Sequence, residues 1–492
     1  MAMVPLGLAG PSYKTVDALI VSPQVTLNYY PEVIEQIIGG VSRVSELRLV
    51  PTPGTTAVFN RTGTTVGGVR GMKVYDEGQK LIAVIGPDVY IIGTDFNASR
   101  VYTTLSNDGL PVRIVPNVNG QVFILSNKVG YVYTLATNSV SPVADPDLLA
   151  SIDAGFLNSY IVALRDELQQ FQISSSNAAQ TYSALEFATL EADEDKQVGL
   201  VCDRLEVWFF GQKKTLIYYD SGNLEFPIER RPGGVLEIGC GARDSIHRIN
   251  GYNTWLACNE IGDKFIARAK GYGDERISNH ALETAMTRYS RTDDCIAFGQ
   301  LDRGHPFSWF YFPSADATWV FDHSNKLWHQ RSYWNVATIQ DKAHKAGCGV
   351  TFQGQLLVGD HSAPIIYRMS PTLNTDNGDV IRRERICPHI IKQARSGEYL
   401  EYEAVRLIAE TGVGLSVDVD AAGENPMISL SWSDDGGRTW SNELPVAMGK
   451  LGAYKTILEW RQLGSTNIAR TFKFTCFDIT PYQLLEAFAD VE

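Results

Sequence analysis

Apolar residues in this chain come in short runs, and the runs come in pairs joined by polar or glycine-containing turns. Seven such pairs read as two strands and a turn: Leu81–Gly93, Gln121–Leu135, Tyr160–Ser174, Leu205–Ser221, Thr254–Ala269, Phe307–Asp322 and Leu356–Met369. Their starts are spaced by 40, 39, 45, 49, 53 and 49 residues. A period of roughly 40 to 50 residues with about four strands per unit is that of propeller blades, small sheets that bury their faces only against their neighbours. The nearly continuous apolar character of the paired runs fits strands covered on both faces. The pattern predicts an all-β fold, a β-propeller of seven blades, with six blades and a separate hairpin as the alternative. A β-sandwich assembled from unrelated hairpins would give a similar series.

More polar stretches supply the remaining strands. Gly71–Tyr75, Val112–Pro116 and Ile152–Leu157 read as strands entering a blade, and Ala98–Leu105 and Ser139–Ala144 as outer strands. Glu46–Asn60 precedes the first pair and is expected to close the ring on the last blade, removing exposed edges. Between Arg276 and Arg291 the apolar positions fall at helical spacing, which predicts a short helix between blades. Leu185–Asp195 ends in an acidic run, expected to be a solvated loop. From Asn374 the rhythm stops, and Leu400–Glu410, Leu415–Asp420, Met427–Ser433 and Ala469–Asp478 read as strands of a separate module. The expected division is an arm and closing strand over 1–60, a propeller over 61–373 and a β-sandwich-like module over 374–492.

Composition sharpens this picture. Forty-three glycines, 21 prolines and 22 tyrosines favour strands and tight turns over long helices. The 492 residues, 44% of them hydrophobic and 20% charged, are ample for a large core. A net charge of -13 argues against a surface that grips phosphate backbones, since such surfaces gather Lys and Arg. An acidic wall would instead let a duplex slide past. The seven cysteines are scattered and never form a C-x-x-C pair, so no zinc site or disulfide framework is indicated. No signal-peptide pattern and no long apolar stretch is present, so no membrane insertion is expected, and synthesis and assembly in a cytoplasm follow.

Candidate chemistry is sparse. Ser433, Asp435, Gly437, Thr439 and Trp440 match S-x-D-x-G-x-T-W, the Asp-box of sialidase-type propellers. In that motif the carboxylate ties a tight turn, glycine permits positive φ and tryptophan packs the hairpin on its sheet, all structural roles. One copy outside the repeat does not make a glycosidase, although a carbohydrate-active propeller is one alternative and a cytoplasmic propeller scaffold another. Phosphate-binding, zinc-protease, nucleophile-elbow and dinucleotide motifs are missing, so no catalytic, cofactor-binding or metal residues are expected. Thr62–Gly71 is glycine-rich but leads into a strand, a weak phosphate signal. His323 and His329 are expected at surface or loop positions. The groups Glu229–Arg231 and Arg382–Arg385 mix both signs, and surface salt bridges or subunit contacts are expected of them.

At the N-terminus, Gly10-Pro11-Ser12-Tyr13, then Asn28, Tyr29, Tyr30, Pro31 and Glu32, then Pro51-Thr52-Pro53-Gly54, resemble the opening of tail hub proteins of short-tailed phages, also called packaged DNA stabilisation proteins. Leu430–Trp440, Gly449–Tyr454 and Trp460–Gly464 resemble their ending, in the same order. The resemblance implies a virion protein without enzymatic activity, forming a homo-hexameric ring or nozzle below the portal and its adaptor ring. It implies a part in retaining the packaged genome, passive passage of double-stranded DNA, and contact with tail fibres, spikes or a needle. One stretch departs from it: Val16–Val21 is more apolar than a solvent-exposed arm would be, which suggests a strand added to a neighbouring subunit.

Overall fold

The computed structural model describes residues 2–12, 24–38, 41–61, 67–190, 194–390, 399–415 and 423–492. Val16–Val21, the first half of Thr62–Gly71 and all of Leu415–Asp420 but Leu415 lie outside them.

Seven sheets stand in a ring, spanning 69–102, 113–142, 151–189, 197–236, 239–276, 296–330 and 346–370. We number them blades 1 to 7. Each expected strand pair forms the two middle strands of one blade. Blades 1 to 4 and 6 are four-stranded meanders, and blade 7 is a four-stranded blade whose last strand comes from elsewhere in the chain. In blade 5 the inner strand is broken: Gly239–Cys240 and His247–Ile249 both pair with Tyr252–Cys258, and a 3₁₀ turn at Arg243–Ser245 separates them. Six four-stranded blades match the alternative count, and blade 5 is a sheet of its own rather than the separate hairpin of that alternative.

The middle strands are apolar on both sides because every blade has two neighbours. Ile82, Val122 and Tyr133 fill the space between blades 1 and 2. Leu81, Phe352, Leu357 and Ile366 join blade 7 back to blade 1. Burying one such side chain contributes roughly 1.5–3 kcal/mol, and five further interblade clusters repeat the arrangement. The fourth strand of blade 7 comes from the N-terminal region, where Gly54–Asn60 pairs antiparallel with Ile365–Ser370. The expected closing segment is therefore right from Gly54 onward. Its first part, Glu46–Pro51, belongs elsewhere.

That first part lies in a long ribbon. We label the N-terminal strands β1 (Ala2–Pro5), β2 (Val25–Leu27), β3 (Tyr29–Ile38), β4 (Val41–Pro51) and β5 (Gly54–Asn60). β3 and β4 pair with each other, and β4 meets the last strand, Leu484–Val491, where Leu49 faces Leu484. β1 pairs with the far end of that last strand. These strands, with Leu400–Ala409 and Leu458–Arg461, make one sheet of a sandwich. The other sheet runs β2, Arg383–Ile386, Thr471–Cys476, Met427–Ser433 and Leu444–Ala447. Tyr29, Tyr402, Phe472, Phe474 and Trp460 fill the space between the two.

The second sheet does not stop at β2. β2 pairs parallel with the outer strand of blade 6 (Leu327–Gln330) on one side and antiparallel with Arg383–Ile386 on the other. Propeller and sandwich share one nine-stranded sheet, spliced by three residues from the N-terminal arm.

The predicted helix is His280–Arg288, and its first turn is capped by Asn279, whose side chain accepts from the Leu282 N–H. The acidic run is not a loop throughout. Its first residues lie in the outer strand Ala178–Thr189, and Asp195 is buried. Asp195 accepts hydrogen bonds from the backbone N–H groups of Gln212, Lys213 and Lys214 at 2.9–3.1 Å, so it ties a turn of blade 4.

Candidate functional site: the junction of arm, propeller and sandwich

The four residues Asn28, Tyr30, Pro31 and Glu32 all sit where β3 leaves blade 6. The chain must reverse between β2 and β3, and Asn28 does so at φ 55°, a conformation asparagine tolerates better than most residues. Its side chain is fully used: Nδ2 donates to Ser332 Oγ at 2.9 Å and to the Arg382 carbonyl at 2.7 Å, while Oδ1 accepts from the Ser332 N–H at 2.9 Å. Its backbone N–H donates to the Gln330 carbonyl. Tyr30 packs edge-on against His305 and Phe307 under the Arg303 guanidinium, and burial pushes its hydroxyl up to about 12. The Pro31 carbonyl accepts from Asn325 at 2.6 Å, and Glu32 pairs with Arg48 across the ribbon. On the sandwich side, the Tyr29 and Tyr482 hydroxyls meet at 2.5 Å.

Arg382 is only partly buried and makes the expected ion pairs, but Arg383 and Arg385 are buried rather than superficial, which corrects the expectation for those two. The reason is the arm: its irregular stretches have carbonyl groups with no ladder to satisfy them, and a guanidinium offers five donors in a fixed fork. Arg385, 0% exposed, reaches the carbonyls of Gly7 at 3.0 Å and Pro11 at 3.2 Å and the Thr26 hydroxyl at 2.8 Å. Arg383, equally buried, donates to the Asp478 carbonyl. Arg382 pairs with Glu384 and with Asp341 and lies over Trp334, whose ring meets Phe477. In the other mixed group, Arg231 pairs with Glu206 and covers Tyr272 on the propeller surface.

The Asp-box turn stands at the edge of the same module. Asp435 accepts from the Thr439 hydroxyl at 2.6 Å, from the Ser433 hydroxyl at 2.7 Å and from the backbone N–H groups of Arg438 and Thr439. These bonds, that from Thr439 first, hold its carboxyl well below the usual range. Gly437 has φ 88° and donates to Ser433 Oγ. Trp440 packs on Val25, Leu27 and Ile386, the splice of β2 itself.

His323 and His329 are not at the surface: they are 8% and 0% exposed. His323 belongs to a chain of hydrogen bonds between blades 5 and 6. Arg268 approaches its Nδ1 at 3.3 Å, its Nε2 lies 2.8 Å from Ser308 Oγ, and Ser308 Oγ lies 2.8 Å from His247 Nε2. His247 Nδ1 reaches the Ser245 carbonyl at 3.0 Å. One assignment satisfies every atom: Arg268 donates to His323, His323 to Ser308, Ser308 to His247 and His247 to the carbonyl, with both rings neutral. Burial keeps them neutral, pushing His247 down to about 4 and His323 to about 3. Sequence gave no signal for this chain, because its members come from three strands and a loop.

Side chains cross the propeller axis. Arg243, at the break in blade 5, donates to the Ile152 carbonyl of blade 3 at 2.9 Å. Arg113 of blade 2 donates to the Arg243 carbonyl at 3.0 Å, pairs with Asp153 of blade 3 at 2.6 Å and lies 3.3 Å from Asp244. Asp153 also accepts from the Leu200 N–H of blade 4. Blades 2 and 5 are three steps apart in a ring of seven, so these contacts cross the axis. Among the described residues no group of His, Cys, Asp and Glu could hold a metal ion. Among the same residues no helix is long and apolar enough to cross a membrane.

The sequence model of the bacteriophage P22 Gp10 β-propeller matches residues 28–374, and that of the bacteriophage P22 Gp10 β-sandwich matches residues 386–492. The chain belongs to the bacteriophage P22 Gp10 family. The first Gp10 match begins at Asn28, the residue where the arm turns, and the second at Ile386, next to Arg385. No curated protein matches the chain. Among solved structures it is similar to a streptogramin B lyase structure (11% identity, TM-score 0.41, covering 63% of this chain and 96% of that one). It is also similar to the WD40 domain of Neurospora crassa Pan2 (10%, 0.42, 65% and 95%) and to the AfRom2 CNH domain (10%, 0.38, 64% and 99%). None of these likenesses bears on what this chain does.

Proposed function

We propose that this protein forms the tail hub of a short-tailed phage: a hexameric nozzle below the portal and its adaptor ring that retains packaged DNA and conducts it during ejection. Membership of the P22 Gp10 family over both modules carries the reading, and that membership makes the chain a phage structural protein. The attachment of tail fibres, spikes or a needle to the hub belongs to the same proposal, as does assembly in the host cytoplasm before incorporation into the virion.

The contacts that cross the propeller axis support a particular form of it. A duplex has no route through one subunit, so a conduit made from this chain lies between subunits, with cyclic symmetry setting its bore. The acidity of the chain is unevenly spread, being concentrated in blade 3 with the segment that follows it (151–196) and in the sandwich. Glu167 and Glu194 are exposed carboxylates of the acidic 151–196 segment, and the proposal assigns such carboxylates to the bore, where they keep DNA mobile by repulsion within a Debye length.

The test is retention of DNA. Filled heads lacking this protein lose their genome, and adding the purified chain restores nuclease-protected DNA. Heads that keep their DNA equally well with and without it would contradict the proposal. Glu167→Lys with Glu194→Lys slows ejection more than it harms assembly, and unchanged ejection kinetics would remove the electrostatic part.

A further inference from the structure

The longest connection between blades, 277–295, joins blade 5 to blade 6 and carries His280–Arg288, the one α-helix among the described residues. Insertions into a repeat add material to one face of the ring, commonly the face that binds. This one lines a cleft of about 670 Å³, a volume within the range of small-ligand sites. The rest of the lining comes from the turn at Gly262 and Asp263, which joins the middle strands of blade 5, and from Ser290–Asp293 after the helix.

The lining is charged but balanced. Asp263, Glu283 and Asp293 stand against Lys264, Arg276 and Arg291. Arg276 Nε donates to Glu283 at 2.6 Å, and Arg291 donates to Asp293 through two bonds of 2.9 Å. Lys264 donates to Thr292 Oγ1 at 2.6 Å. With the charges matched no ionic ligand is favoured, and a lining this polar disfavours an apolar one, which would leave it unsatisfied. Hydrogen-bonding capacity is left over in both senses. A guanidinium has five N–H donors and each arginine spends two on its partner, while the carboxylates keep free acceptor sites.

An apolar element lies among these groups. Met286 is 4% exposed, and the ring of Tyr289 is fixed by a bond from Trp319 Nε1 to its hydroxyl at 3.0 Å and by contact with Phe312. A neutral ligand dense in donors and acceptors, with a C–H face to lay on a thioether and an aromatic ring, is a sugar.

We propose that this cleft binds a small saccharide. Its hydroxyls accept from Arg276 and Arg291 and donate to Glu283 and Asp293, and one ring face covers Met286 and Tyr289. The site is made by the propeller of a single chain, so it stands whether or not the ring proposed above forms.

The probes are the methyl glycosides of glucose, galactose, mannose and rhamnose, each at millimolar concentration with the full chain and read by saturation-transfer NMR. Transfer to at least one of them is expected. It is lost in Thr287→Trp, which fills the cleft from an exposed helix position. Arg291→Ala, which opens an ion pair at the surface, weakens the same glycoside about tenfold, the effect of losing one charge-assisted hydrogen bond, and serves where the tryptophan variant fails to fold. No transfer to any of the four, or transfer undiminished in either folded variant, overturns the proposal.

Discussion

Asn28 and Ser332 hold each other twice, side chain to side chain and side chain to backbone, each at 2.9 Å, across 304 positions of sequence. That double bond fixes the one turn at which the N-terminal arm passes from the shared sheet into the ribbon. Because Asn28 sits at φ 55°, its side chain and its backbone contribute separately. Asn28→Gly removes only the side-chain bonds. Asn28→Ala also strains the backbone by about 1–2 kcal/mol, so it should be the less stable of the two by roughly that amount. Urea midpoints decide it, and equal midpoints would mean that the backbone conformation contributes nothing.

Arg385 is the other lock on the arm. Its replacement by alanine strands several buried carbonyls and should cost about 3 kcal/mol, with Arg385→Lys recovering little, since an ammonium cannot reproduce the planar fork. Limited proteolysis should then cut within the first 28 residues well before the propeller is attacked. Arm cleavage no faster than in the natural protein would show that β1 alone anchors it.

The histidine chain makes stability depend on pH. His247 and His323 have folded values below that of a free histidine, so the unfolded chain binds more protons as pH falls. Their contribution is complete above about pH 6.5 and declines below it, by on the order of 2 kcal/mol from His247 alone between pH 6.5 and 5. Asp376, pushed up to about 6 by burial, acts in the opposite sense over part of that window. Comparing the natural protein with His323→Gln isolates the effect: the variant's stability should vary less between pH 7 and 5. Parallel pH profiles would refute the neutral assignment.

Arg113 braces blades across the axis, and its loss leaves Asp153, 0% exposed, without its cation. Arg113→Ala should destabilise the propeller by about 3 kcal/mol. Scanning calorimetry checks this, and a change below 1 kcal/mol would mean that the axis is held by blade packing alone.

Much of this architecture was legible in the sequence for a simple reason. Middle strands such as Leu81–Ile85 and Val122–Leu125 are covered on both faces, so their apolar character is continuous and their spacing reports the blades. The helix near Leu282 and the closing strand at Gly54 carried local signals of the same kind. What could not be read depends on partners far away in the chain. Asp195 looks like part of an acidic run until three N–H groups of blade 4 are placed around it. Arg385 looks like a surface charge until the arm is folded over it. His323 is polar by type and buried by position. The break at Arg243 has no periodicity to disturb, because its inner strand is too short to show one. The Asp-box was readable because every bond that Asp435 makes lies within four residues of it.

The central claim is that six copies of this chain form a ring on the portal–adaptor complex. Light scattering of the purified protein, alone and mixed with that complex, measures it directly. The account predicts a mass increase equal to six chains of 54.4 kDa. A chain that stays monomeric and leaves the mass of the complex unchanged would contradict it.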